Sequence, residues 1–324
     1  MTTAPPPDAA RDTLQAFVAR ELAAPAEPDP AITAAETLAR EIASQHGDSV
    51  AGVLFYGACR RDSDPSGLLD LYVLTTAHRA FHGRALPALL NAALPPTVLL
   101  CRSEGAQHAP IRAKVAVLSE RQFARRMRPA SLDTTLWARF CQPSTLVHAR
   151  DEAARRRTER AVAEGVAAAA LWAARLGPKE ATPATYWRNL FERTYAAELR
   201  TERGNRPERL LAAAPDWYER ALPLALARLG LPATPTSRGQ LRPGLAHRRR
   251  WLGAWALRRA CGKALNALRL AKAAFTFEGG ADYLAWKIER HSGVALELAD
   301  WQRRHPLLAA PVLLWRLRRR GAVR

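Results

Sequence analysis

The sequence predicts an α/β core followed by an all-α region. Short apolar runs separated by turn residues lie between residues 50 and 119, and long stretches with helical periodicity follow them. The chain has 324 residues, of which 48% are hydrophobic, so it can bury a sizeable core. We expect two parts, an α/β domain with N-terminal helices over 1–150 and a basic helical domain over 151–324.

The elements of the first part follow from apolar spacing and turn residues. Two helices are predicted over 9–24 and 31–46, and Gly47 ends the second. A strand is predicted next over 51–57, where it ends in a turn, and a second strand over 69–75. A helix over 82–93 and two strands over 97–101 and 114–119 follow. In the second strand, alternation places Asp70, Tyr72 and Leu74 on one face of the sheet.

The chain is predicted to become helical from residue 130, near the end of the first part, and to stay helical through the second part. The periodic segments cover 130–140, 150–175, 184–204, 207–230 and 246–275, with one more helix after Gly279-Gly280 and a last one over 306–320. No apolar run reaches the length of about 18 residues that a membrane-spanning helix needs.

The composition indicates the class of partner. The formal net charge of +19 predicts attraction to polyanions, namely nucleic acid, anionic lipid or nucleotide phosphates, although an arginine-rich composition alone would explain part of it. The first twelve residues show no basic region followed by an apolar stretch, and the four cysteines are far apart in sequence. We therefore expect a cytoplasmic protein in a reducing compartment.

The last third of the chain is the most basic part. Residues 241–277 contain nine Lys and Arg and no acidic residue, and seven arginines follow Asp300. An apolar stripe over 307–315 precedes the final arginine run and suits a helix lying in a membrane interface. We expect peripheral binding to the inner face of an anionic membrane, with nucleic acid as the less favoured partner. The alternative is a set of solvated helix faces with tryptophans in the core.

One strand–turn–strand segment carries residues suited to phosphate chemistry. Gly57-Ala58-Cys59 follows the first strand, and Asp70 lies in the second. A glycine lets backbone amides approach nucleotide phosphates, and carboxylates hold the metal ions that neutralise them. Polymerase-β-type nucleotidyltransferases have Gly-Ser and Asp-x-Asp here, whereas this chain has Ala58 and Leu68 in place of the serine and the first aspartate. The alternative is a buried strand pair with Asp70 facing solvent.

Five short segments in order strengthen this interpretation. They are FYGAC with LLDLYVL, the pair Phe81-His82, RAKVAVLS, SLDTTLWARFCQPSTLV and ERTYAAELRTERGNRPER, and together they span about 50–210. This series resembles the mitochondrial-type phosphatidate cytidylyltransferases, also known as translocator assembly and maintenance proteins, within the nucleotidyltransferase superfamily.

The resemblance implies a reaction and a set of site residues. CTP and phosphatidate would give CDP-diacylglycerol and pyrophosphate with the help of Mg²⁺. Asp70 would be a metal ligand, with Asp62, Asp64 or Asp133 as candidates for completing the metal site. The remaining implied residues are the phosphate-facing Lys114 and Arg139 and the substrate-binding set Gly57, Ala58, Cys59, His82, Tyr195, Glu198 and Arg200.

Other interpretations stay open for these residues and for the whole chain. Lys114 could be an exposed strand residue, Arg139 and Arg200 could pair with glutamates on helix surfaces, and His82 could bond the start of a helix. Without a second carboxylate at the metal site, the protein would be a relative of this family with weakened catalysis. The rival functions are a nucleotidyltransferase acting on RNA or a small molecule, and a non-catalytic basic adaptor for membrane or nucleic acid.

Overall fold

The structure is a computed structural model that describes residues 13–104, 110–197, 206–231, 233–236, 240–245, 248–276 and 299–304. The helices of the first half are α1 (Leu14–Leu22), α2 (Pro30–His46), α3 (Ala58–Arg61), α4 (His78–His82), α5 (Ala85–Ala93), α6 (Glu120–Arg126) and α7 (Thr135–Phe140). The later helices are α8 (Glu152–Leu176), α9 (Pro183–Ala197), α10 (Arg206–Ala213), α11 (Pro215–Arg228), α12 (Arg248–Thr276) and α13 (Asp300–Arg304). The strands are β1 (Val50–Tyr56), β2 (Leu68–Thr75), β3 (Thr97–Glu104), β4 (Pro110–Ser119), β5 (Thr145–Ala149), β6 (Ala233–Pro235) and β7 (Leu241–Pro243).

A five-stranded mixed sheet organises the first half. Its strand order is β3-β4-β2-β1-β5, with β2 and β4 parallel and every other neighbouring pair antiparallel. Helices flank this sheet, and a helical region follows it along the chain. The predicted order of an α/β core followed by a helical region is therefore confirmed, with the short strand pair β6 and β7 as a non-helical part of that region.

The two faces of the sheet belong to two different cores. On β2, Leu69, Leu71 and Val73 pack in a cluster with α2, whereas Tyr72 and Leu74 pack in a larger cluster with the helical region. This is the alternation that the sequence predicts for the strand. The face that carries Asp70 is thus the one that meets the helices of the second half.

The helical region is built around α8. This 25-residue helix buries a run of alanines against its neighbours, which lets their backbones approach closely. Helix α1 belongs to the same cluster, because Phe17 stacks on Trp217 of α11 with ring centroids 4.8 Å apart. The N-terminal helix therefore packs on helices of the second half, and the division near residue 150 stays a prediction.

Several elements differ from the predicted ones, and α3, α6, β6 and β7 were not predicted. Strand β5 was not predicted; it pairs with β1 at the edge of the sheet. The helix predicted over 82–93 begins only at Ala85, and His82 instead ends the preceding helix α4, after which Gly83 adopts a left-handed conformation with φ of +63°. The helix predicted over 207–230 is also two, since Pro215 lacks a backbone N–H and starts a new helix.

Helix α12 is held against the core by its own basic residues. Arg258 is 7% exposed and donates to the backbone oxygens of Ser131 and Pro129 at 3.1 and 3.2 Å. The Lys272 ammonium donates to the oxygens of Leu94 and Pro96 at 2.5 and 2.7 Å. These two cations therefore do not belong to an outward-facing basic surface.

Among the tryptophans of the basic third, one is buried in the core and another is exposed. Trp255 is buried against Trp172, with ring centroids 5.6 Å apart, while Trp301 is 49% exposed.

No helix within the described residues is long and apolar enough to cross a bilayer. The helices predicted after Gly279-Gly280 and over 306–320 lie outside the described residues.

Candidate functional site

The turn after β1 lies directly against the Asp70 side chain. Tyr56 and Asp70 are register partners on β1 and β2, and Gly57 follows with φ of +97°. A β-carbon built at Gly57 would come within 2.7 Å of Asp70 Oδ2, closer than any side chain could remain. Only glycine suits both the conformation and the contact, so the backbone of the turn is exposed to the carboxylate.

Lys114 lies beside Asp70 on the neighbouring strand. The two residues are register partners of the parallel pair β2 and β4, and both are half-buried. Their strands continue on the same face into Tyr72 and Ala116, which are buried in the core shared with the helical region. The carboxylate and the ammonium thus lie side by side where this face emerges from the core, on strands about 4.8 Å apart.

Helix α7 covers the adjoining part of this face. The Phe140 ring packs against Tyr56 and Tyr72, with centroid distances of 5.5 and 5.2 Å. Arg139 is half-buried beside it and donates to the Thr135 carbonyl at 3.2 Å. The structure therefore brings the helix of Arg139 to the sheet face of Asp70, while this hydrogen bond holds part of the guanidinium along its own helix.

The two residues after Gly57 have different surroundings. Ala58 is exposed at the turn. Cys59 is buried, and its thiol donates to the Leu68 carbonyl at 3.4 Å. A β-carbon at Gly67 would meet Cys59 Sγ at 2.6 Å, so this thiol holds the loop between α3 and β2 in place and supports the site without facing it.

The carboxylates of that loop face solvent. Asp62 and Asp64 are both exposed, and Asp64 Oδ1 accepts from the backbone N–H of Ser66 at 2.8 Å. The Ser63 hydroxyl donates to Asp29 Oδ2, which anchors the loop to the start of α2. Either aspartate remains a candidate ligand for a metal that approaches from solvent.

Asp133 is engaged in a buried ion-pair cluster. Its carboxylate is 6% exposed and lies 2.5 Å from Arg269 of α12 and 3.4 Å from Arg126 of α6. Burial alone would raise its pKa, but the hydrogen bonds and charge of Arg269 lower it below the usual range. Asp133 therefore joins α7 to two other helices, and this arrangement gives no support to its predicted role as a metal ligand.

His82 lies at the other end of β2. Asp70 is the third residue of that strand, and Thr75, the last, is about 16 Å further along the chain. Beyond that end, His82 Nε2 is 2.9 Å from the Asn91 amide, and burial lowers the pKa of His82 to about 4. The structure does not bring His82 to the Gly57 turn; it is a neutral hydrogen-bonding link between α4 and α5.

The predicted residues of the helical region are described only in part. Tyr195 is half-buried on α9, and the Arg206 guanidinium lies 5.8 Å from the centre of its ring. Glu198 and Arg200 lie outside the described residues. Tyr195 is therefore the one member of this predicted set whose surroundings are known.

The residues at the turn do not fit a resident two-metal centre. Within the described parts of the chain, no group of three His, Cys, Asp or Glu side chains is placed to hold a metal ion. Asp70 supplies one carboxylate at the Gly57 turn. Mg²⁺ is commonly held by one or two carboxylates together with substrate phosphates, so Asp70 fits a magnesium ion that arrives with a nucleotide.

No protein-family description and no curated protein matches the sequence. Among solved structures, the chain is similar to a nucleotidyltransferase-like protein from Exiguobacterium sibiricum, with 13% identity and a TM-score of 0.26. The match covers 79% of this chain and 80% of that one. A likeness of this strength carries no argument about function, which has to be judged from the residues themselves.

Proposed function

We propose that this protein is a nucleotidyltransferase that transfers CMP from CTP to phosphatidate, giving CDP-diacylglycerol and pyrophosphate. The observation that carries the proposal is the contact between the Gly57 turn and the Asp70 carboxylate, with Lys114 in register beside it. A backbone that phosphates can approach, one carboxylate and one ammonium suit a magnesium–triphosphate complex better than they suit a neutral ligand.

In this reaction the residues would position the nucleotide and stabilise the negative charge of its phosphates. A phosphate oxygen of phosphatidate attacks the α-phosphorus of CTP in line, a new P–O bond forms, and the bond to the bridging oxygen of pyrophosphate breaks. Asp70 would hold the magnesium ion of the nucleotide, and Lys114 would donate to phosphate oxygens as negative charge shifts towards the leaving group. Arg139, on the helix above the same face, is the next candidate for a phosphate contact.

The membrane part of the proposal is supported by the outer face of α12. Leu252, Leu257 and Leu268 are 41%, 54% and 56% exposed, and Arg259 and Lys263 are exposed among them. An apolar helix face flanked by cations matches an anionic bilayer surface, where each basic residue adds about 1 kcal/mol of attraction. We propose peripheral binding to the inner, cytoplasmic membrane face; the predicted tail over 306–320 lies outside the described residues.

A second candidate is nucleotide binding without turnover. It is favoured because Asp70 is the one carboxylate that the described residues place against the Gly57 turn, and phosphoryl-transfer sites with two metals need more than one. A nucleotidyltransferase acting on RNA or a small molecule would use the same Gly57, Asp70 and Lys114 geometry, and only the acceptor would differ.

A panel of nucleotides and acceptors tests the substrate assignment. Purified protein would be incubated with Mg²⁺, each of the four α-labelled ribonucleoside triphosphates, and either phosphatidate, diacylglycerol or short RNA. The proposal predicts labelled product with CTP and phosphatidate alone. Label transferred to RNA would support the RNA-directed enzyme, and binding of CTP with no product on any acceptor would support the non-catalytic alternative.

A further inference from the structure

Arginines and tryptophans alternate in a cluster that joins the end of α8 to the start of α12. The Arg175 guanidinium carbon lies 5.1 Å from the ring centre of Trp172 and 3.6 Å from that of Trp251. Arg258 lies 4.1 Å from the Trp172 ring centre, and Arg250 lies 5.3 Å from that of Trp251. The contacts therefore link the five side chains in the order Arg258, Trp172, Arg175, Trp251 and Arg250.

The three arginines of this cluster differ in their hydrogen bonds. Arg258 is buried and donates to backbone oxygens, among them those of Ser131 and Pro129. Arg175 is half-buried, pairs with no carboxylate of the described residues, and has its Nε enclosed without a hydrogen-bond partner. Arg250 is exposed, and its contact in the described part of the chain is with the indole ring. Arg175 and Arg250 thus hold N–H donors for which the described residues supply no acceptor.

The Trp251 ring keeps these two cations close together. Because both contact the same ring, their guanidinium carbons are no further apart than the two distances to its centre taken together, about 9 Å. Two guanidinium groups within that limit can each donate to one phosphate through hydrogen bonds of about 2.8 Å. Contact with an aromatic face restrains a guanidinium without neutralising it. The pair is therefore positioned for an anion that bridges it.

The positive charge of Arg175 is compensated only in part. Its place in the last turn of α8 favours a cation, because the carbonyl groups at that end of a helix carry partial negative charge. Burial, and next the charges of Arg258 and Arg250, nevertheless lower the pKa of Arg175 to about 10. An anion bonded to Arg175 and Arg250 would offset this repulsion and supply the missing acceptors.

The surface beside the pair indicates the kind of anion. Leu252 directly follows Trp251 and is 41% exposed, and the apolar outer face of α12 continues from there to Leu257, which is 54% exposed. Cations beside exposed leucines suit a ligand that has both a phosphate and hydrocarbon chains. A soluble nucleotide has no part that would cover these leucines.

We infer that Arg175 and Arg250, held by the Trp251 ring, form a binding site for the phosphate of an anionic phospholipid headgroup at the start of α12. A phosphodiester presents two free oxygens, which match the planar N–H donors of two guanidinium groups. Binding there would fix the start of α12 at the membrane surface. The inference rests on the proposed function only in taking a lipid as the source of the phosphate.

Thermal unfolding with a soluble lipid tests the site without a membrane. Wild-type protein would be compared with Arg175→Gln, Arg250→Gln and the control Arg160→Gln, which removes an exposed arginine from α8. The ligand would be short-chain phosphatidylglycerol below its micelle concentration, at constant ionic strength. It should raise Tm in the wild type and the control, whereas each site variant should need about tenfold more ligand for the same rise.

Two variants keep this test independent of folding. Arg250 is exposed, so Arg250→Gln should unfold at the wild-type temperature when no ligand is present. Arg175→Lys keeps the charge within the cluster but loses the planar pair of donors, and it should also lose most of the ligand response. A wild-type response in Arg250→Gln would overturn the site. So would an equal loss in Arg160→Gln, because net charge and no particular site would then determine binding.

The source of the phosphate is assigned with two further ligands. The same proteins would be sedimented with vesicles of phosphatidylglycerol and phosphatidylcholine, and titrated with CTP and Mg²⁺. Weaker vesicle binding at unchanged CTP affinity in both site variants is the expected result. Weaker CTP affinity at unchanged vesicle binding would contradict the lipid assignment. Neither readout requires turnover, so the site can hold when no CDP-diacylglycerol forms, and it can fail when the enzyme is active.

Discussion

Gly57 and Asp70 are so close that a β-carbon at residue 57 would lie 2.7 Å from the Asp70 carboxylate oxygen. The relationship joins the two sequence features that suggested phosphate chemistry, a glycine turn and a strand aspartate thirteen residues later whose register partner is Tyr56, the residue before that glycine. It also means that the turn and the carboxylate cannot be altered independently.

Substituting Gly57 separates this contact from ordinary backbone strain. Gly57→Ala should displace Asp70 and reduce turnover by about tenfold or more, in addition to the strain of about 1 kcal/mol at a positive φ. Gly83→Ala is the matched control, because Gly83 also has a positive φ but nothing lies within 4 Å of its added carbon. Gly57→Ala should lose more stability than Gly83→Ala in denaturant titrations, because it adds the contact with Asp70 to the backbone strain, and only Gly57→Ala should lose turnover.

Asp70→Asn tests the carboxylate itself. An amide of nearly equal size should leave a half-buried strand position folded, while the loss of a magnesium ligand should reduce turnover by about a hundredfold or more. Asp48→Asn, which changes an exposed aspartate between α2 and β1, is the control and should remain active. Wild-type turnover in Asp70→Asn, at saturating Mg²⁺, would remove Asp70 from the site.

Asp133→Asn should affect stability and not metal use. The change leaves the buried Arg126 and Arg269 without their shared carboxylate, and breaking a buried ion pair in this way costs about 3–5 kcal/mol. Chemical denaturation would measure the loss. Turnover at low temperature should keep the wild-type dependence on Mg²⁺ concentration, and a shifted dependence would instead assign Asp133 to metal binding.

The outer face of α12 should determine binding to anionic membranes. The double variant Leu257→Gln/Leu268→Gln should sediment less with vesicles containing phosphatidate, because both side chains are more than half exposed. Leu86→Gln, which changes a leucine of α5 that is 66% exposed, is the control. Wild-type binding should fall as salt rises. Equal binding to neutral and anionic vesicles, or no effect of the double variant, would contradict the proposal.

The sequence predicted the residues of the turn better than those further away. The Gly57 turn and Asp70 follow from local patterning, since a strand, a turn and a strand with period-two alternation leave few arrangements. The placement of Lys114 beside Asp70 needed the parallel pairing of β2 with β4, which joins residues far apart in sequence. The resemblance supplied that lysine, whereas spacing alone could not.

Long-range contacts account for most of the remaining differences. His82 and Asp133 have side chains of types that can catalyse reactions or bind metals. In the folded protein, however, His82 is hydrogen-bonded to Asn91, and Asp133 is paired with two arginines. The basic character of α12 suggested an outward surface, yet Arg258 and Lys272 bind backbone oxygens of the core.

The most direct test of the central claim is formation of CDP-diacylglycerol by the purified wild-type protein. Vesicles containing phosphatidate would be incubated with α-labelled CTP and Mg²⁺, and lipid-soluble label and pyrophosphate would be measured together. The account predicts equal amounts of the two products, their loss on addition of EDTA, and their loss in Asp70→Asn. A folded wild-type protein that forms neither product with any divalent ion offered would contradict it.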